Sequence, residues 1–121
     1  MSNQHFILIF HGSAQDSAKE LIISLTRALY AKTDASFSVC HLRDGHPTLP
    51  EALENAYEKG HRQISCMPIL ILPGSHTVNE IPRVIEDFQR KHSDAEVKQL
   101  QCLARHKQFV DFLASVLENS K

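Results

Sequence analysis

Apolar residues along this chain fall into two kinds of stretch: short continuous runs, and longer stripes with a period near 3.6. Residues 6–10 (Phe-Ile-Leu-Ile-Phe) are apolar throughout, as a strand buried on both faces requires. Gly12-Ser13 interrupts the run. Residues 14–32 then place Leu21, Ile22, Leu25 and Leu29 on one helical stripe. Residues 36–42 read as a second strand with Phe37 and Val39 on one face. Thr48 precedes a Pro50-Glu51 helix start, Ala52, Leu53, Ala56 and Tyr57 continue the helical period, and Gly60 supplies the stop. Residues 63–72 form the third apolar run. Pro68 within it cannot donate to a ladder, so a bulge or a free edge is expected there.

Pro73-Gly74 ends that strand. The next helix has Pro82 near its start and the stripe Ile81, Val84, Ile85 and Phe88. Residues 96–102 are a more polar fourth strand, and residues 107–119 a last helix striped by Phe109, Val110, Leu113, Val116 and Leu117. The order β-α-β-α-β-α-β-α predicts an α/β fold: a three-layer sandwich in which helices flank a four-stranded, mostly parallel sheet with right-handed crossovers. One domain over residues 1–121 is expected, since no linker, low-complexity tract or repeat interrupts the pattern.

Composition narrows the function classes. With 42% apolar and 22% charged residues among 121, the chain is of ordinary globular type. A net charge of -1 gives no field for nucleic acid or an anionic membrane, so neither is expected as a partner. No apolar run approaches the ~20 residues of a spanning helix, and the N-terminus lacks the order of a secretory signal; a cytoplasmic location is expected. Cys40, Cys66 and Cys102 are an odd number in apolar, strand-like runs, which suits reduced, buried thiols better than a disulfide or thiolate metal site.

Parallel α/β sheets bind ligands beyond the carboxyl ends of their strands. Here those ends bring His11 after the first strand; His41, Arg43 and His46 after the second; Gly74, Ser75 and His76 after the third; and Arg105 and His106 after the fourth. Each of the four ends thus contributes at least one of the eight histidines. Two neutral imidazoles from neighbouring strands can share a divalent first-row metal ion or accept protons near neutrality. Glu80, four residues after His76 and in the first turn of a helix beginning near Val78, is placed to orient a histidine or join a metal site. His5, His61 and His92 read as ordinary surface residues. Gly12-Ser13 could cradle a phosphate at a helix N-terminus, but the full glycine fingerprint is absent.

Three segments resemble one family in order and spacing. His11-Gly12-Ser13 after the first strand, residues 47–53 (Pro-Thr-Leu-Pro-Glu-Ala-Leu), and residues 67–82, with Gly74-x-His76-x-x-x-Glu80-Ile81-Pro82, are similar to the class II tetrapyrrole chelatases, the small sirohydrochlorin chelatases. The resemblance implies insertion of a divalent ion into sirohydrochlorin, with Co2+ favoured and Ni2+ or Fe2+ also suited. It implies that His11 and His76 bind the metal and serve catalysis with Glu80, and that a short chain of this kind works as a homodimer. The sequence departs from the pattern at Glu80, where Asp is usual, and at Arg43, where an acid is common. Phe10 and Ala14 also stand where many members have glycine and arginine.

A flat macrocycle edged with carboxylates needs cationic rim groups. Arg43, Arg105 and Lys107 are candidates, with Ser13, Gly74 and Ser75 along the same rim. Readings from other classes are a non-catalytic metal or tetrapyrrole carrier on the same fold, and a phosphate- or nucleotide-binding α/β module. A phosphatase with a histidine nucleophile is disfavoured because Phe10 and Gly12, not arginine, flank His11.

Overall fold

A computed structural model describes residues 4–119. Four strands, β1 (Gln4–Phe10), β2 (Phe37–His41), β3 (Gln63–Pro68) and β4 (Glu96–Gln99), make one wholly parallel sheet in the order β2-β1-β3-β4. Helices α1 (Asp16–Lys32), α2 (Leu49–Glu58), α3 (Ile81–Lys91) and α4 (Lys107–Asn119) complete the expected alternation. No helix among the described residues is long and apolar enough to cross a membrane.

β1 lies in the middle because it is apolar on both faces. Ile7 and Ile9 point to the side where Cys40, Ile64 and Cys66 meet Leu49, Leu53 and Ile81 of α2 and α3. Ile7, Ile9, Leu53 and Ile81 are fully buried, and each such side chain contributes roughly 1.5–3 kcal/mol of hydrophobic stabilisation. α2 starts at a capping box: Thr48 accepts from the Glu51 amide while the Glu51 carboxylate accepts from the Thr48 amide. Gly60, at φ +98°, follows its last turn. The three cysteines are free and buried, and burial pushes the thiols of Cys40 and Cys66 up to about 12.

The second face is covered thinly. Tyr30 of α1 stacks on Phe37, and Phe109 and Phe112 of α4 line a cavity with Met67, so α1 and α4 both lie on this side. Neither helix buries a residue. Of the stripe Leu21, Ile22, Leu25 and Leu29, only Ile22 is partly buried; the three leucines are 36–60% exposed, and Leu113, Val116 and Leu117 of α4 are 45–75% exposed. The helical period is as expected, and among the described residues these stripes stay largely exposed.

Other expectations need correction. β3 stops at Pro68 rather than residue 72, and β4 at Gln99 rather than residue 102; Cys102 lies in the connection that follows. The β3–β4 ladder ends at Cys66–Gln99, so Pro68 sits where the neighbouring strand has already left, and its missing donor costs no rung. His5 and His92 are not surface residues. His5 is 6% exposed, its two ring nitrogens bonded to the hydroxyls of Ser36 and Ser38 (2.7 and 2.9 Å) and its face stacked on His61. His92 stacks on Tyr57 and bonds to Glu54.

Burial, with His61 and Lys59 nearby, lowers the His5 imidazole to about 4. Between its ordinary 6.5 and about 4, the unfolded chain takes up a proton that the folded one does not. Stability therefore falls as pH drops through that window and levels off below it, by roughly 3 kcal/mol from this residue. Urea midpoints from pH 7 to 4 should fall less steeply for His5→Gln than for the parent; equal slopes would refute the assignment.

Candidate metal centre at the strand ends

β1 ends in an apolar strand and delivers His11 directly onto the rim. The β1–β2 ladder continues one rung past the strands, with the Arg43 amide donating to the His11 carbonyl (2.8 Å) and the Leu42 amide to that of Phe10 (2.9 Å). This close pairing needs Gly12. Its φ is +95°, and a Cβ there would lie 1.8 Å from the Arg43 carbonyl oxygen. Glycine thus lets the loop after β1 run hard against the end of β2, setting His11 beside Arg43.

His76 comes from the segment after β3. A single π-helical turn, His76–Glu80, leads into α3, so the helical backbone begins before the expected position near Val78. Pro82, in the first turn of α3, needs no donor there. The turn is tied at Thr77, through both its side chain and its backbone. The Thr77 hydroxyl donates to the Gly74 carbonyl and accepts from its amide, and Gln99 of β4 donates to the Thr77 carbonyl (2.9 Å). Thr77 and Gln99 were not singled out from sequence; a threonine three residues after the Pro-Gly break is the one local sign of this clasp.

The two imidazoles meet. Their ring centroids are 4.9 Å apart with the planes at 73°. Two imidazoles on one ion, with nitrogens at ~2.1 Å and an angle of 90–110°, would have centroids roughly 4.5–5.3 Å apart. His76 Nδ1 lies 2.8 Å from Glu80 Oε1, and His11 Nδ1 3.2 Å from the Gly12 carbonyl. With Nδ1 donating in both rings, Nε2 keeps its lone pair in both. Glu80 is itself held by Arg43, whose Nη1 and Nη2 bond its two oxygens at 3.0 Å each. Arg43 first, and then His76, hold the Glu80 carboxyl below the usual carboxylate range.

The remaining rim residues do not join the pair. Arg43 is committed to Glu80 and to the Leu42 carbonyl. His46 bonds to Glu51, and His106 to the Gln101 carbonyl. His41 lines a cavity of about 290 Å3 together with Ser13, Lys19 and His46, on the β2 side. On the β4 side, Arg105 lines one of about 250 Å3 with Pro73, Thr77 and Gln101. Gly74 and Ser75 are exposed in the turn before His76, and Lys107 is exposed at the start of α4. The Ser13 hydroxyl accepts from the Gln15 amide, and Asp16 places an acid in the first turn of α1, an arrangement unfavourable to phosphate. His11 and His76 thus sit centrally on an open rim flanked by two shallow cavities. No cluster of three or more His, Cys, Asp or Glu side chains able to hold a metal ion forms among the described residues.

Comparison with known proteins follows this geometry. The family model described as CbiX matches residues 5–120. A sirohydrochlorin cobaltochelatase of Methanocaldococcus jannaschii is 30% identical over 87 residues, 71% of this chain and 61% of the relative. A sirohydrochlorin ferrochelatase of Priestia megaterium is 23% identical over 108 residues, covering 88% of this chain and 41% of the relative. The matched region spans about three fifths or less of these curated relatives. Among solved structures, a cobalamin biosynthesis CbiX protein of Marinobacter aquaeolei superposes with a TM-score of 0.83 at 17% identity, over 96% of this chain and 93% of the other. The sirohydrochlorin chelatase SirB of Bacillus subtilis, in complex with cobalt, gives 0.83 at 18% identity over 97% of this chain but 50% of its own. These likenesses establish a shared fold.

Proposed function

The chain belongs to the CbiX family, and from that premise we propose that it inserts a divalent metal ion, Co2+ by preference, into sirohydrochlorin. The observation that carries the proposal is the pair of imidazoles, His11 and His76, brought within 4.9 Å on an open rim by separate strands. The reaction exchanges two pyrrole protons for one ion: M2+ and the free macrocycle give the metallated macrocycle and two protons. Two nitrogen ligands hold an ion while leaving most of its coordination sites to water and then to pyrrole nitrogens. A neutral imidazole that releases the ion becomes a base for a departing pyrrole proton. Glu80 supports the pair by fixing the tautomer and direction of His76. Arg105 and Lys107 remain the cations on the rim for the substrate's carboxylates.

The working form in this reading is a homodimer. Among the described residues α1 and α4 present apolar stripes that stay largely exposed, Leu21 and Leu25 on one and Leu113 and Leu117 on the other, and large exposed apolar patches mark association surfaces. SirB, which this chain matches over half its length, has room for a second such unit in one chain. A second copy would supply both the missing packing and a facing wall for a flat substrate.

The test is a visible-absorbance assay of the purified protein with sirohydrochlorin and Co2+, Ni2+ or Fe2+, combined with its mass in solution. Catalytic metallation by a dimer is the expected result. Stoichiometric binding without turnover identifies a carrier instead, and stabilisation by nucleotides but not by metal ions would point to the phosphate-binding class.

A further inference from the structure

We propose that Arg43 is a positioning residue that withholds Glu80 from the metal, so that the ion in transit is held by His11 and His76 alone. This rests on the chelatase reading. The guanidinium meets the carboxylate as a two-pronged fork, with both N–H···O distances 3.0 Å, and Glu80 Oε1 also accepts from His76 Nδ1 at 2.8 Å. Both oxygens are thereby engaged, and an approaching cation meets the positive guanidinium beside them. Arg43 is held in place at its other end as well. Nη1 also donates to its neighbour's carbonyl, and its backbone is locked to His11 across Gly12. The Glu80 carboxylate thus orients His76 and does not ligate.

The consequence is a site of low affinity. Two neutral nitrogens do not cancel the charge of a divalent ion, whereas a carboxylate added to them would bind it more tightly and slow its release to the macrocycle. An ion to be handed on benefits from the weaker grip.

Arg43→Ala releases Glu80 Oε2 while Oε1 keeps its bond to His76. Titrating Co2+ alone, followed by its visible d–d absorption, should give tighter binding by roughly tenfold or more, the scale on which ligand partners move metal affinity. The band should also shift as an oxygen joins the two nitrogens. Arg43→Lys, with one point charge and no fork, should lie between parent and Ala, and Glu80→Gln on the Arg43→Ala background should reverse the gain. Circular dichroism confirms folding of each variant, and Arg43→Lys serves alone if Arg43→Ala does not fold. Unchanged or weaker Co2+ binding with an unshifted band overturns the role of Arg43. If the parent metallates sirohydrochlorin, only this inference falls; if the parent neither binds Co2+ nor metallates, the chelatase reading falls with it.

Discussion

Replacing His76 with alanine should lower the rate of Co2+ insertion by roughly 10²–10⁴-fold, the range expected for a positioned proton-transfer group and metal ligand. The protein should stay folded, because His76 contributes nothing to the apolar core and the turn that carries it is clasped by Thr77 and Gln99. His11→Ala should have an effect of the same order, since each imidazole is half of one site. The double variant should then be little worse than either single one, because residues that act as a unit do not lose function additively. Initial rates of absorbance change at saturating sirohydrochlorin, beside urea midpoints, check both halves of the expectation. A folded His76→Ala protein with parental turnover would remove the imidazole pair from the mechanism.

The second large effect falls on stability. Gly12→Ala puts a methyl group 1.8 Å from the Arg43 carbonyl oxygen at a φ of +95°, so the last rung between the ends of β1 and β2 must open. A loss of at least about 3 kcal/mol is expected from backbone strain and the broken rung together. Gly74→Ala, in the rim segment after β3, meets no atom within 4 Å and should cost less than about 1 kcal/mol. Urea denaturation of the two variants side by side separates a steric requirement from a general sensitivity of the rim. Equal costs would show that the contact at Gly12 relaxes.

Much of this was legible because the relevant signals are local. The unbroken apolar run of β1 foretold a central strand. Thr48, Pro50 and Gly60 bracketed α2, and the alternation of elements placed His11 and His76 on one rim before any coordinates. What stayed hidden depends on partners distant in sequence. The Arg43–Glu80 fork joins the ends of β2 and β3, strands that β1 separates in the sheet, so neither side chain's neighbourhood names the other. His5 looked like a surface residue because only the register of β1 with β2 brings Ser36 and Ser38 to its ring. The apolar stripes of α1 and α4 were legible, but their exposure was not, since period reveals which face is greasy and not what meets it.

The turn at His76–Glu80 has a final consequence for helical phase. A π turn holds one residue more than an α turn, and successive α-helical residues are spaced by about 100° around the axis. Excising one residue there, such as Asn79, would let the backbone anneal to a regular α-helix continuous with α3. Ile81 and Phe88 would keep their seats in the core, and everything upstream would swing by about that angle, carrying His76 away from His11. The extra residue works as an angular shim: it aims an imidazole without disturbing the helix that bears it.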